Sequence, residues 1–218
     1  MGCVPAADDY LVALRLITER EHSVLIFDEV MTGFRLAFGG AQELYNIRPD
    51  LTTMGKIIGG GVPVAAYAGS AELMNNVAPL GPVYQAGTLA GNPLAMSAGI
   101  ATLKQLSKAG VYTKIEALAK KLVAGLQQAL SEAEIKAQVN SIASLSTIFF
   151  APDAVNNYGD AKKSDTKLYA RYFREMLNRG IFLAPSQFEA AFVSAAHTES
   201  DIERTIAAAK EALRSISA

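Results

Sequence analysis

The sequence is poor in the residues that build disulfides and metal centres. Its 218 residues contain one cysteine, Cys3, two histidines, His22 and His197, and no tryptophan. A lone cysteine forms no internal disulfide, and two distant histidines do not by themselves form a zinc site. We therefore expect no metal site, and we assign no catalytic function to these three residues. The lack of disulfide chemistry is typical of a reducing compartment.

Charged residues are also scarce, and their two signs nearly cancel. They make up 19% of the chain, and the formal net charge is −1. Such a chain has no broad basic field with which to hold nucleic acid. Half of its residues are hydrophobic, which excludes a disordered protein. The length is ample for one large domain or two small ones.

Charge is almost absent between Ile57 and Leu103, where Glu72 is the only charged residue in 47 positions. We call this stretch the neutral segment. Eight glycines and four prolines interrupt it, so no run of about 20 apolar residues remains to cross a membrane. A neutral stretch of turns and small residues instead suits the wall of an active site or a subunit interface, because glycine lets backbone approach closely.

The hydrophobic pattern divides the chain into an α/β region and a smaller α+β region. In the first we expect helices at 6–20, 70–77 and 93–108, and strands at 24–27 and 65–69. In the second we expect helices at 111–132, 164–179 and 198–216, and strands at 136–140, 145–150, 181–184 and 191–194. The segment 198–201 resembles a capping box that begins the last helix. The predicted domains are 1–108 and 109–218.

Asp28 is the first candidate site residue, because it directly follows the apolar run Val24–Phe27. In an open parallel sheet the carboxyl ends of the strands face the ligand crevice. A carboxylate in such a place needs a cation or hydrogen-bond donors. The alternative is an exposed loop acid or a helix cap, which is the more common case when the residue is considered alone.

Lys56 stands among glycines, threonines and apolar residues, immediately before the neutral segment. Such surroundings favour a neutral amine, which suits Schiff-base chemistry, although a solvated loop lysine is the more common case. A Walker A loop is excluded because no serine or threonine follows Lys56 and Asp50 occupies the leading glycine position. A dinucleotide-binding loop is excluded because Gly59, Gly60 and Gly61 are consecutive.

Two further places contain polar groups in neutral surroundings. Gly87 and Thr88 lie in a loop just before the helix that Pro93 begins. Backbone N–H groups and a hydroxyl at such a place suit a phosphate, and an ordinary helix-entry loop is an equal alternative. Glu189 lies among apolar residues in the second region and is either a site acid or a surface residue.

Three segments carry a resemblance to a known family. They read LIFDEVMTGFR from Leu25, PDLTTMGKIIGGGVPVAAYAG from Pro49, and VYQAGTLAGNPLAMSAGIATL from Val83. Together they resemble the class III aminotransferases, enzymes of fold type I that use pyridoxal 5′-phosphate (PLP). The segments YQAGTLAGNPLAM and APSQFEAAF are more specific, and they are similar to the glutamate-1-semialdehyde aminomutase branch of that family.

The resemblance implies a role for each candidate residue. Asp28 would pair with the pyridine nitrogen of PLP, and Val30 would pack on one face of its ring. Lys56 would form the Schiff base with the cofactor and move protons as general base and acid. The loop at Gly87–Thr88 would reach the PLP phosphate of the partner subunit. Glu189 matches a family acid near the substrate.

The resemblance also implies the fold, the reaction and the partners. The fold is the C-terminal part of a fold-type I PLP-binding large domain, which is α/β, followed by a smaller α+β domain. The reaction is an intramolecular amino transfer that converts glutamate-1-semialdehyde to 5-aminolevulinate for tetrapyrrole synthesis, and PLP passes through its pyridoxamine phosphate form. The full enzyme is expected to be a cytoplasmic homodimer, or one of the plastid stroma in a plant or alga, without nucleic acid or membrane partners.

The family pattern extends upstream of the present chain, where it includes the glycine-rich turn that binds the phosphate. We therefore expect the chain to match the C-terminal half of the family and to be impaired as an enzyme by itself. Two alternatives remain open. One is a class III ω-amino acid transaminase, which would need an external amino donor. The other is an inactive fragment that associates with a separate N-terminal half.

Overall fold

A computed structural model describes residues 1–217 of the chain. The chain divides into two compact units. The first unit runs from Ala7 to Tyr112, and the second consists of Met1–Ala6 together with the chain from Thr113 onward. Within residues 1–217, no helix combines the length and the apolar character that crossing a membrane requires.

A three-stranded sheet of order β1-β2-β3 forms the centre of the first unit. The strands are β1 (Ile26–Glu29), β2 (Leu51–Met54) and β3 (Ala66–Gly69). β2 pairs parallel with β1 and antiparallel with β3. The helices are α1 (Tyr10–Arg20), α2 (Gly40–Tyr45), α3 (Ala71–Met74) and α4 (Pro93–Leu106), and a 3-10 turn covers Lys56–Gly59.

Helix α1 packs on one face of this sheet. Leu25 and Phe27 form a buried cluster with Ile47, and Leu11 and Leu14 of α1 pack against that cluster. Side chains on a strand alternate between the two faces, so Leu25 and Phe27 share the buried face. Asp28, the residue directly after Phe27, therefore points to the opposite face of the sheet.

Asp50 ties α1 to the beginning of both parallel strands. Its Oδ2 accepts hydrogen bonds from the Leu25 backbone N–H at 2.7 Å and from Nη1 of Arg15 at 3.0 Å. The Leu25 bond, and after it the Arg15 guanidinium, hold the pKa of the Asp50 carboxyl below its usual value. These hydrogen bonds align the amino ends of β1 and β2.

The second unit combines an antiparallel sheet with long helices. The strands are β4 (Gln138–Ile142), β5 (Leu145–Phe149) and β6 (Ala191–Phe192), in the order β4-β5-β6. The helices are α5 (Val111–Glu132), α6 (Tyr158–Ala161), α7 (Thr166–Asn178) and α8 (Glu199–Ser217). The apolar faces of α5, α7 and α8 meet in one core around Tyr172, Met176 and Leu213.

The segment Met1–Ala6 lies in the second unit, although the predicted domain 1–108 placed it in the first. The Gly2 backbone N–H donates to the Phe188 carbonyl at 2.7 Å, and the Cys3 backbone N–H donates to Oγ1 of Thr147 at 2.9 Å. These partners lie far away along the chain. A local hydrophobic pattern contains no information about them.

Most of the predicted elements are confirmed, and the helix at 111–132 has the predicted bounds. The last helix begins with the expected capping box, in which Asp201 Oδ2 accepts from the Thr198 N–H and Thr198 Oγ1 accepts from the Asp201 N–H. The strand predicted at 181–184 is wrong, because that segment is irregular and contributes Ile181 and Leu183 to the core. The sequence analysis missed β2, α2 and α6.

Candidate functional site

Asp28 and Lys56 lie at the same end of the first unit's sheet. β1 and β2 are parallel neighbours, and Asp28 lies opposite Thr53 in their register. Lys56 begins the 3-10 turn that follows β2 after a single residue, Gly55. Because parallel strands end at the same edge, the carboxylate and the amine belong to the same end of the sheet. This placement is the one that the Asp28 prediction assumed.

The Asp28 carboxylate is held in position but remains open to solvent. Its Oδ1 accepts hydrogen bonds from the Val30 backbone N–H at 3.0 Å and from Oγ1 of Thr53 at 3.3 Å. The side chain is exposed. Both bonds use Oδ1, so Oδ2 is directed to neither donor and can accept a hydrogen bond from a bound molecule. The site residue that sequence reasoning missed here is Thr53.

Lys56 occupies an unusual backbone conformation. Its φ of 47° lies in the left-handed region, which costs an L-residue free energy. The preceding Gly55 is buried, and a Cβ built on it would lie 3.3 Å from Cγ1 of Val30. Val30 therefore packs against the residue that precedes Lys56. Asp28, Val30 and Lys56 thus belong to the same end of the sheet.

The surroundings of Lys56 differ from the apolar setting that the sequence predicted. The Lys56 side chain is exposed, since the 3-10 turn presents it at the surface of the first unit. Thr52 and Gly55 before it, and Gly59 after it, are the buried residues of this stretch. The described residues of the first unit thus enclose the backbone of the turn but not the amine.

Glycines bring the Lys56 turn against α4. Gly60 has a φ of 59°, and a Cβ on it would lie 2.5 Å from the Ala98 carbonyl oxygen. A Cβ on Gly99 would lie 2.3 Å from the Ile58 carbonyl oxygen. Real Cβ atoms do not approach backbone so closely, so only glycine permits this contact at either position. The glycine run beside Lys56 therefore serves close packing of the turn on α4.

Gly87 and Thr88 lie in an exposed loop that precedes α4. The Ala90 backbone N–H donates to the Gly87 carbonyl at 3.0 Å and closes a turn. Within residues 1–217, no hydrogen bond joins this loop to Asp28 or Lys56. The described residues therefore show no direct link between these two predicted phosphate contacts and Asp28 or Lys56 of the same chain.

Glu189 belongs to the second unit and lies beside a small cavity. The cavity has a volume of about 60 Å³, and its walls include Leu122 and Tyr169. The Glu189 side chain is exposed, while its backbone carbonyl accepts a hydrogen bond from Oγ1 of Thr147 at 3.1 Å. Burial, and after it the negative charge of Glu189, raises the pKa of Tyr169. Glu189 is thus an exposed acid beside a mainly apolar cavity.

Sequence reasoning missed Glu29, which the structure shows to be the most buried acid of the site region. Its exposed fraction is 1%. The period of two along the strand contained the signal, because Leu25 and Phe27 are buried and Glu29 is the next residue on the same face. An acid at that register is a buried carboxylate that requires donors.

Comparison with known proteins assigns the chain to a family. The family model for aminotransferase class-III matches residues 1–208. A glutamate-1-semialdehyde 2,1-aminomutase of Desulforamulus reducens is 57% identical over 214 residues, which cover 98% of this chain and 50% of that protein. The corresponding protein of Desulfatibacillum aliphaticivorans is 51% identical over 216 residues, with 99% and 51% coverage. The chain thus spans about half the length of the curated relatives it matches.

Solved structures agree with the fold. An omega-transaminase from Sphaerobacter thermophilus aligns with a TM-score of 0.90 at 34% identity, covering 99% of this chain and 49% of that one. A glutamate-1-semialdehyde aminomutase from Pseudomonas aeruginosa PAO1, solved in complex with PMP, aligns with a TM-score of 0.85 at 27% identity, covering 96% and 48%. The predicted mixed α/β fold of a transaminase is confirmed, and the chain belongs to the class-III aminotransferase family.

Proposed function

We propose that this chain is the C-terminal half of a PLP-dependent aminomutase that converts glutamate-1-semialdehyde to 5-aminolevulinate. The observation that carries the proposal is the placement of Asp28 and Lys56 at the same end of the parallel pair β1–β2. The identity to aminomutases over nearly the whole chain supports the choice of reaction.

The residues at this edge fit PLP. Asp28 presents a carboxylate whose Oδ1 is already fixed by two donors, so it is preorganised to accept a hydrogen bond from a protonated pyridine nitrogen. Val30 presents a branched apolar side chain next to Gly55, suited to the face of an aromatic ring. When bound, PLP supplies an aldehyde that bonds to an amine and a ring that accepts electrons.

Lys56 has two functions in this proposal. Its amine attaches the cofactor covalently, and in the free form it accepts and returns protons at the substrate carbons. The reaction is an isomerisation in which the amino group and the carbonyl oxygen of the substrate exchange places. No second substrate is consumed, so the same lysine must serve both halves of the exchange.

Glu189 is a substrate-binding residue in this proposal, as the resemblance to the family implies. A carboxylate at the edge of an apolar hollow repels a second carboxylate and attracts the substrate's amino group. That placement predicts that Glu189→Gln changes KM for the substrate more than it changes the binding of PLP.

A homodimer is part of the proposal, with the neutral segment as the interface. Large apolar side chains of this segment are exposed in the single chain, among them Tyr84 at 82%, Leu80 at 77%, Leu89 at 74% and Leu94 at 72%. Exposed apolar groups of this density mark an interaction surface. The loop at Gly87–Thr88 would then reach the cofactor phosphate bound by the partner subunit.

A class III ω-amino acid transaminase is the first alternative. The likeness to an omega-transaminase structure supports this alternative. The same fold can serve both activities, so the fold alone does not distinguish them. A transaminase would require a separate amino donor.

A fragment that functions only with a separate N-terminal half is the second alternative. The outer edges of β1 and β3 have no neighbouring strand within residues 1–217. All four residues of β3 are exposed. Unpaired sheet edges favour association with further strands.

One assay separates these functions. The chain is supplied with PLP and glutamate-1-semialdehyde without any amino donor, alone and co-expressed with the N-terminal half of a relative. We expect 5-aminolevulinate from the combination and none from its Lys56→Ala variant. Product that appears only after an amino donor is added would support the transaminase. Absence of product from the combination, with or without a donor, would overturn the proposed reaction.

A further inference from the structure

Glu29 is a buried acid that the proposed chemistry does not use. Only donors surround its carboxylate. The backbone N–H groups of Ala41 and Gln42 donate to it at 2.9 Å each, Nε2 of Gln42 donates at 3.4 Å, and Oγ1 of Thr32 donates as well. A set of four donors requires an acceptor-only group, which a carboxylate is and an amide is not.

The chain around Glu29 is shaped to fit it. Gly40 has a φ of 74°, and a Cβ on it would lie 2.5 Å from Oε2 of Glu29. A Cβ on Gly33 would lie 2.7 Å from the Glu29 carbonyl oxygen, which accepts a hydrogen bond from the Gly33 N–H at 2.8 Å. Both glycines therefore allow the loop after β1 to fold closely around this one residue.

The Glu29 network also reaches the strand that precedes Lys56. Nε2 of Gln42 donates to Oγ1 of Thr52 at 3.1 Å as well as to Glu29. Thr52 is buried on β2, on the face opposite to its neighbour Thr53. One side-chain amide thus connects Glu29, the last residue of β1, to the buried face of β2.

We propose that Glu29 is a positioning residue that fixes Asp28 on the open face of β1. Consecutive residues of a strand point to opposite faces, so a Glu29 held on the buried face obliges Asp28 to face the site. On that face Oδ1 of Asp28 receives the Val30 N–H and the Thr53 hydroxyl. The inference rests on the proposed cofactor role of Asp28 and deepens it.

Amide hydrogen exchange of the full chain tests this inference, with Glu29→Gln as the variant. We expect exchange of the Val30 N–H to rise about tenfold relative to that of the Leu51 N–H, because Asp28 leaves its position. The matched control is Ile47→Ala, which weakens the first unit's buried cluster without touching the Glu29 network. In the control both amides exchange faster in proportion, and their ratio stays at the wild-type value.

A second readout uses the cofactor. The absorbance spectrum of Glu29→Gln with PLP is expected to match that of Asp28→Asn, whereas Ile47→Ala keeps the wild-type spectrum. An unchanged Val30 to Leu51 ratio together with a wild-type spectrum would overturn the positioning role. If the wild-type chain takes up no PLP either alone or together with an N-terminal half, the proposed function fails while the exchange ratio still decides the role of Glu29.

Gln42→Leu gives a test that does not depend on the folding of Glu29→Gln. It removes the amide between Glu29 and Thr52 and leaves the two backbone donors of the carboxylate in place. We expect the Val30 to Leu51 exchange ratio to rise about threefold. An unchanged ratio in this variant would contradict the proposal.

Discussion

The two units differ in how completely they bury their apolar side chains. In the second unit one core joins α5, α7 and α8, and Tyr172, Met176 and Leu213 are at most 1% exposed. Of the twenty large hydrophobic side chains that the described residues expose, sixteen lie in the first unit. The four in the second unit are Met1, Tyr158, Leu177 and Phe182.

This difference indicates which part of the chain requires a cover. The second unit hides its apolar surface by itself, as a self-sufficient domain does. The first unit has open edges at β1 and β3 and an exposed neutral segment. We infer that the first unit, which contains Asp28 and Lys56, gains its full stability from surface supplied by another half or another subunit.

The largest expected effect contrasts a leucine from each unit. Leu213→Ala removes a fully buried side chain and should lower the free energy of unfolding by about 2–5 kcal/mol. In the monomeric chain, Leu94→Ala removes a side chain that is 72% exposed and should change the free energy of unfolding by less than about 0.5 kcal/mol. Urea denaturation measures both. Equal losses would show that the first unit is as well packed as the second.

A smaller effect contrasts a helical glycine from each unit. Gly99→Ala places a Cβ 2.3 Å from the backbone oxygen of Ile58, so α4 must move away from the Lys56 turn. We expect a loss of about 1–2 kcal/mol, since overpacking outweighs the gain in helix propensity. The control Gly125→Ala meets the side chain of Ile206, which is able to rotate, so its loss should be smaller. Thermal unfolding that ranks the two variants in reverse would contradict this packing.

The next effect concerns backbone strain at Lys56. Lys56→Gly should be about 0.5–1 kcal/mol more stable than Lys56→Ala, because glycine adopts a φ of 47° freely but loses more entropy on folding. In the second unit Ala143 has the same φ, so Ala143→Gly should gain a similar amount. Denaturation midpoints of the three variants and the wild type check this. No difference between the two Lys56 variants would mean that the site stores no strain.

The smallest effect is pH-dependent and concerns Asp50. Its pKa is lowered in the folded chain, so its stabilisation is present above the unfolded value of about 3.9 and is lost as pH falls through the folded value. Asp50→Asn should therefore lower the free energy of unfolding by less than about 1 kcal/mol at pH 7. The difference between the variant and the wild type should shrink towards pH 3. Asp9→Asn is the control, since Asp9 makes no cap bond. A stability difference that grows on acidification would contradict a lowered pKa of Asp50 in the folded chain.

Features that depend on neighbouring residues could be predicted from the sequence, and features that depend on distant residues could not. The helix Val111–Glu132 and the cap at Thr198 depend on local periodicity and spacing, and both were predicted. β2 was missed because its two threonines interrupt the hydrophobic run, and the strand is defined by its pairing with β1. The edge position of Asp28 could be inferred from the apolar run before it. The donors of Glu29 could not, because three of the four come from α2.

The most direct test of the account is chemical trapping of PLP on the chain. The protein is incubated with PLP, alone and with an N-terminal half, reduced with borohydride and digested, and the labelled peptide is identified by mass spectrometry. We expect a single phosphopyridoxyl label on Lys56, with none in Lys56→Ala. A label confined to other lysines, or none on Lys56 in either preparation, would contradict it.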